Sequence, residues 1–107
     1  MHTAVKLTLQ FLKEHQIPTD KLMPSHASCT LSSCHIPFTD EYDALTENDV
    51  EEVVASLQRS FGSPKITRAG GPKKTTWLWH SGERQVEVVC RVYAADHIDA
   101  GITLRNL

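Results

Sequence analysis

The sequence predicts an α+β domain in which two helices pack on an antiparallel sheet of three to five strands. Two segments show helical periodicity, and strand-like runs separated by Gly-containing turns fill the C-terminal half as a meander. The chain has 107 residues, of which 40% are apolar and 22% charged, a composition typical of one soluble globular domain. We therefore interpret residues 1–107 as a single domain.

The first helix is predicted over residues 3–15. Val5, Leu9 and Leu12 recur there at helical spacing, and Pro18 marks the end. Residues 16–45 carry three prolines and clustered Ser and Thr without a sustained period. A structureless stretch of this length is uncommon in a compact domain, so it either contains a short strand near residues 32–36 or is a functional loop.

The second helix is predicted over residues 47–61. Thr46 stands three residues before Asp49, which is a variant of the capping box, and an apolar stripe follows at helical spacing. Gly62 occupies the position of a left-handed C-terminal cap, and Pro64 prevents continuation of the helix. The stripe consists of Val50, Val53, Val54, Leu57 and Phe61.

Four strand-like runs follow the second helix, with Gly-containing turns between them. If Ser81-Gly82 is the central two-residue turn, Trp77 lies opposite Val86; if the turn is Gly82-Glu83, Trp77 lies opposite Val88. Both registers place the tryptophans on the valine face, which the second helix would cover. The opposite face would be covered by the first helix or by a partner. The predicted strands are Lys65–Ala69, Lys74–His80, Gln85–Ala94 and Ile102–Asn106.

A cluster of His26, Cys29, Cys34 and His35 supplies the ligand types that zinc prefers. The spacing is poor for a classical site, since adjacent residues such as Cys34 and His35 point to different sides of an extended backbone. We therefore predict no metal or other cofactor, and keep a zinc-stabilised module as the alternative. Cysteine catalysis is a lesser alternative, because it needs a thiol held against a histidine and no local signature shows that contact.

The basic residues around Gly70-Gly71-Pro72 resemble a phosphate loop only superficially, because Lys74 opens a strand and not a helix. Together with Trp77 and Trp79 they suggest a single-strand nucleic-acid binder. The tryptophans share the valine face, however, so we interpret them as core anchors and disfavour nucleic acid as the partner.

Charge is unevenly distributed along the chain. Residues 41–64 hold six acids and one base, whereas residues 65–107 hold seven bases and four acids. Such segregation suits association with a complementary protein. With no cofactor fingerprint, we predict a non-catalytic protein-binding module such as an inhibitor, an immunity or antitoxin-like protein, or an adaptor.

Two contact surfaces are predicted for this function, an acidic segment and the mixed outer face of the sheet. A second copy of the chain is the alternative occupant of the outer face. The predicted partner-binding residues are Asp40, Glu41, Asp43, Glu47, Glu51 and Glu52 of the acidic segment and Leu78, Val89, Arg91 and Tyr93 of the outer face.

The sequence contains no secretory pattern and no apolar run of membrane-spanning length, so we expect no membrane association. Three cysteines are an odd number, which argues against a disulfide scaffold and favours a reducing compartment. We therefore expect a cytoplasmic protein.

Overall fold

A computed structural model describes residues 2–39, 45–71 and 73–107. Within these ranges two α-helices pack on a six-stranded antiparallel sheet, which confirms the α+β class. Across the sheet the strand order is β1-β2-β6-β5-β4-β3. The elements are α1 (Thr3–Glu14), β1 (Ser28–Cys29), β2 (Ser33–Pro37), α2 (Glu47–Phe61), β3 (Lys65–Ala69), β4 (Lys73–Ser81), β5 (Arg84–Val92) and β6 (Ile98–Arg105), with short 3₁₀ turns at Pro24–His26 and Ala94–Asp96.

The predicted count of three to five strands is wrong, because the Pro- and Ser-rich stretch contributes two strands to the sheet. Of the two predicted possibilities for this stretch, a short strand or a functional loop, the structure shows the short strand. This strand, β2, pairs with β6. β1 has only two residues, which is too short to show a period of two. β6 begins at Ile98, four residues before the predicted start.

The second helix begins and ends as predicted. The Thr46 hydroxyl accepts a hydrogen bond from the Asp49 amide, and the Asp49 carboxylate accepts one from the Thr46 amide, so the capping box is complete. At the other end Gly62 adopts φ 86° and its amide donates to the Gln58 carbonyl at 2.9 Å. A positive φ favours glycine at this position.

The central hairpin adopts the second of the two predicted registers. Ser81 pairs with Arg84, so Gly82-Glu83 is the turn and Trp77 lies opposite Val88. Gly82 has φ 63°, as the first central residue of a hairpin turn of the primed types requires.

Both helices lie on the same face of the sheet, which we call the helix face. α1 packs against β2, and α2 packs against β4 and β5. The core between the layers includes Leu12 of α1 and Leu57 of α2 together with Ile36, Val86, Val88, Ile102 and Leu104 of the sheet. The sequence predicts that either the first helix or a partner covers the other face. The first helix does not cover it.

The helices contact each other at their C-terminal ends through aromatic rings. Phe11 stacks on Phe61 with 5.7 Å between ring centroids, and the His15 ring lies 4.7 Å from each of them. The Ser60 hydroxyl donates to the His15 carbonyl at 3.1 Å. This cluster fixes the two helices as one layer.

Trp79 connects that layer to the sheet. Its side chain is 1% exposed, and its indole N–H donates to the Gly62 carbonyl at 2.9 Å. A buried indole N–H without a partner would be costly, so the exit of α2 has to lie where this bond can form.

No helix within the described ranges has the length and apolar character needed to span a bilayer.

We predict that Trp79→Phe lowers the free energy of unfolding by about 1–3 kcal/mol. The phenyl ring retains much of the apolar burial but leaves the Gly62 carbonyl without its donor. Urea unfolding at neutral pH measures the change.

Trp77→Phe is the matched control, because Trp77 lies on the same face of β4 and is only partly buried. We expect a smaller loss of stability for this variant. Equal losses for the two variants would contradict a special role for the indole bond of Trp79.

Candidate functional site

The face of the sheet opposite the helices carries no other described element, and we call it the open face. Alternation along each strand and the pairing registers define its side chains. They are Ser28 of β1; Ser33, His35 and Pro37 of β2; Asp99, Gly101, Thr103 and Arg105 of β6; Gln85, Glu87, Val89 and Arg91 of β5; Lys74, Thr76, Leu78 and His80 of β4; and Lys65, Thr67 and Ala69 of β3.

The middle of the open face is apolar. Leu78 pairs with Glu87, the residue two before Val89 on β5, so Leu78 and Val89 are diagonal neighbours on adjacent strands. Both side chains are half-buried. They are two of the four outer-face residues that the sequence predicts for partner binding, and the structure brings them together.

Two ion pairs cross the open face between β5 and β6. Arg91 lies 3.7 Å from Asp99 and Arg105 lies 3.4 Å from Glu87. The remaining cations, Lys65 and Lys74, form no ion pair with a described residue.

The open face therefore carries four Lys or Arg side chains against two carboxylates. The excess positive charge lies on the β3–β4 side of the apolar centre.

Beside the apolar centre the His35 ring lies against the backbone of β6. A Cβ atom built on Gly101 would lie 2.7 Å from His35 Nε2 and closer still to Cε1, so this packing requires glycine. The ring is held by a hydrogen bond of 2.8 Å between Nδ1 and the Thr103 hydroxyl. His35 thus covers a part of the open face that has no side chain of its own.

The environment of His35 favours the neutral ring. Burial lowers the pKa of His35 from its ordinary value of 6.5, although the carboxylates of Asp99 and Glu87 act in the opposite direction. The ring therefore adds an uncharged, half-buried surface beside Val89 at neutral pH.

Tyr93, the fourth predicted outer-face residue, lies beyond the end of β5 and is 41% exposed. Its amide donates to the His97 carbonyl at 2.7 Å across a tight turn. Ala95 and Asp96 of that turn have φ 59° and 58°, which is unfavourable for residues other than glycine. The Tyr93 and His97 side chains help to line a hollow of about 370 Å³ with Phe38, Thr39, Ile98 and Asp99.

The predicted acidic surface is only partly described. Asp40, Glu41 and Asp43 lie outside the described residues. Glu47, Glu51 and Glu52 are exposed on α2, which covers the helix face. The acidic residues of α2 and the open face are therefore on opposite layers of the molecule and do not form one continuous surface.

The structure does not gather the four residues of the zinc alternative. His35 lies on the open face, whereas the Cys29 and Cys34 thiols lie together on the helix face. His26 is exposed, with its ring 3.1 Å from the Ser25 hydroxyl. Among the described residues no three His, Cys, Asp or Glu side chains are placed to share a metal ion.

The cysteine-enzyme alternative needs a thiol activated by a histidine. In the described ranges no hydrogen bond joins a histidine to Cys29 or Cys34; the two thiols contact each other instead. Burial, and then the contact with Cys29, raises the pKa of the Cys34 thiol to about 11, whereas nucleophilic thiols have a lowered pKa.

The tryptophans are placed as core residues. Trp79 is buried, so it offers no surface for stacking on a base. Trp77 is partly buried and lines a cavity of about 120 Å³ under the N-terminal half of α2, together with Glu47, Glu51, Arg68, Lys73, Cys90 and neighbouring apolar residues. Lys73 and Glu47, 3.8 Å apart, form an exposed ion pair at this cavity, which is a weak interaction.

The basic residues of the β3–β4 hairpin divide between the two faces. Lys65 and Lys74 belong to the open face, while Arg68 and Lys73 belong to the other. Lys74 lies in a strand, as the sequence predicts, and the β3–β4 hairpin does not gather its cations into one patch.

Sequence reasoning missed His35 and Gly101 as parts of the outer face. It considered His35 only as a metal ligand, and it placed Gly101 in a loop because the start of β6 was predicted too late. A longer β6 would have placed Gly101 opposite Val89, where they pair in the structure. A glycine in the middle of a strand indicates close approach of another group.

Comparisons of the chain with protein-family models, with curated proteins and with solved structures found no match.

We predict that Gly101→Ala destabilises the protein by about 1–3 kcal/mol, because the new methyl group collides with the His35 ring. His35→Ala removes the ring, so Gly101→Ala should cost much less in that background. Chemical unfolding of the two single variants and the double variant measures the coupling. Additive effects would show that the ring does not occupy the space above Gly101.

We also predict that His35 makes the protein less stable below pH 6.5. Because its pKa is lower in the folded protein than in the unfolded chain, the unfolded chain binds more protons as the pH falls. The stabilisation by the neutral ring is present above pH 6.5 and is lost as the pH falls from there through the lower pKa of His35 in the folded protein. The free energy of unfolding at pH 7.5 and pH 5.5 should fall more for wild type than for His35→Gln, and equal falls would contradict the lowered pKa.

Proposed function

We propose that the protein is a non-catalytic protein-binding module that uses its open face to hold an acidic surface of another protein. The observation that carries the proposal is the apolar centre of Leu78 and Val89, flanked on one side by Lys65 and Lys74, which form no ion pair with a described residue. An adaptor, an inhibitor, or an immunity or antitoxin-like protein would each work through such a surface.

The apolar centre supplies the part of the face that a partner would desolvate. Interfaces combine a fully buried apolar centre with a polar rim. Leu78 and Val89 are half-buried in the free chain, so a partner would remove further apolar area from water. The Arg91–Asp99 and Arg105–Glu87 pairs are already neutralised within the face and would form part of the rim.

Lys65 and Lys74 favour an acidic partner. Lys65 and Lys74 lie on neighbouring strands at one side of the apolar centre, where they would attract carboxylates and raise the association rate. The open face of each copy carries four Lys or Arg side chains against two carboxylates, so the net positive charge of two copies docked face to face disfavours self-association through this face.

The acidic residues of α2 are assigned a smaller role than the sequence predicts. Glu47 contacts Lys73 of the same chain, and the side chains of Glu47, Glu51 and Glu52 lie on the helix layer, away from the apolar centre. They provide a matched control for the open face.

The test is affinity capture from cells of the source organism, with mass-spectrometric identification and measurement of binding by the captured protein. The open-face variant is Lys65→Glu/Lys74→Glu, and the control variant is Glu51→Lys/Glu52→Lys on the other layer. We expect one protein captured by wild type to bind the control variant normally and the open-face variant at least about tenfold more weakly, with an affinity that falls as salt rises.

Three results would overturn the proposal. One is a partner that binds the open-face variant as tightly as wild type. Another is a captured partner that proves to be a second copy of the chain. The third is the absence of any protein whose capture depends on Lys65 and Lys74.

A further inference from the structure

The hairpin formed by β1 and β2 places two thiols directly opposite each other. Cys29 pairs with Cys34 in the strand register, and their sulfur atoms lie 2.6 Å apart. Both are free thiols in this structure. The strand register therefore places the two side chains on one face of the hairpin, each directed at the other.

The backbone of the hairpin also suits a bond between these residues. The Thr30 amide donates to the Ser33 carbonyl at 2.9 Å, which makes Cys29 and Cys34 the neighbouring non-hydrogen-bonded pair. In such pairs the Cα atoms are about 4.5 Å apart, within the range of about 4.4–6.8 Å found for disulfides. The hairpin can therefore accommodate the bond without rearranging its strands.

The two thiols differ in access to solvent. Cys34 is 0% exposed beneath α1, where the Thr8 hydroxyl contacts it. Cys29 is partly exposed and lines a surface groove of about 480 Å³ beside Leu7, Leu31 and Leu107. A small reagent can reach Cys29 from this groove, whereas Cys34 can be reached only through Cys29 or by opening of the hairpin.

We propose that Cys29 and Cys34 are a redox-active pair that closes reversibly to a disulfide by exchange with a small disulfide of the glutathione type. In the first step the Cys29 thiolate attacks the disulfide, forming a mixed disulfide and releasing one glutathione thiolate. In the second step the Cys34 thiolate attacks the Cys29 sulfur and releases the second. The protein loses two protons and two electrons, and oxidised glutathione gains both to become two molecules of reduced glutathione.

The second step determines how the rate of disulfide closure depends on pH. Burial raises the pKa of the Cys34 thiol to about 11, so little attacking thiolate is present at neutral pH. Closure of the mixed disulfide should accelerate by about tenfold for each pH unit between pH 7 and 9. The strand register keeps Cys34 directly opposite Cys29 for this attack.

Closure of the disulfide would restrain the tip of the β1–β2 hairpin. Among the described residues, this tip carries the most exposed large apolar side chain. Leu31 is 105% exposed at the tip of the hairpin, and the Ser32 carbonyl beside it accepts a hydrogen bond from the Leu107 amide. The disulfide would restrain this tip and remove the Cys29 thiol from the groove. These effects lie on the far side of the sheet from the open face, so the inference is independent of the proposed binding function.

The test uses the untagged protein equilibrated with mixtures of oxidised and reduced glutathione, quenched with acid, alkylated and analysed by mass spectrometry. We expect a species lighter by two hydrogens, with Cys29 joined to Cys34 and Cys90 alkylated. Reduced glutathione in excess should return the protein to the dithiol.

Three variants separate this inference from nonspecific oxidation. Cys90→Ser should close as wild type does. Cys34→Ser should stop at the mixed disulfide on Cys29, and Cys29→Ser should leave Cys34 unmodified while the protein is folded. Circular dichroism of each variant confirms that it is folded.

Protein that remains fully reduced at every glutathione ratio would overturn the inference. So would a mixed disulfide on Cys29 that accumulates in wild type and does not close at pH 9, or a disulfide that involves Cys90.

Discussion

The hydrogen bond from the Trp79 indole to the Gly62 carbonyl is the constraint on which the arrangement of layers depends. It joins the C-cap residue of the second helix to β4 near the turn of the β4–β5 hairpin, between residues 17 positions apart in the chain. Because the indole is buried, the helix has to end where the bond forms, and the apolar stripe of α2 then lies on Val86 and Val88. The aromatic contact of Phe11 with Phe61 places the first helix in the same layer.

Placing both helices on one side leaves a six-stranded sheet whose other face carries no described element. The two sides of each strand have different surroundings. Val86, Val88 and Cys90 alternate with Glu87, Val89 and Arg91 along β5, and only the first set is buried in the core. The open face is neither fully polar nor fully apolar, which is the composition expected of a surface that is solvated alone and covered in a complex.

Local rules of the sequence predicted most of the scaffold. The capping box at Thr46, the glycine cap at Gly62 and the parity of the tryptophan hairpin each act within a few residues, so they could be read without the structure. The choice between the two hairpin registers required the turn geometry at Gly82. The first two strands were hidden because β1 has two residues and β2 lies among prolines and serines, where no period can develop.

The candidate site was predicted in part for the same reason. Leu78, Val89 and Arg91 follow from alternation along two neighbouring strands. His35 joins them only because β2 pairs with β6, 68 residues away in the chain, and a single sequence does not show such a long-range pairing. The contact between Cys29 and Cys34 likewise depends on a short turn that composition alone did not indicate.

The most direct test of the account is solvent paramagnetic relaxation of the methyl groups of the free protein, measured by NMR with a small neutral paramagnetic probe. We expect strong broadening of the Leu78 and Val89 methyl signals and little broadening of those of Val86 and Val88. Equal protection of both sets would mean that the face opposite the helices is covered in the free protein, which would contradict the open face and the binding function proposed for it.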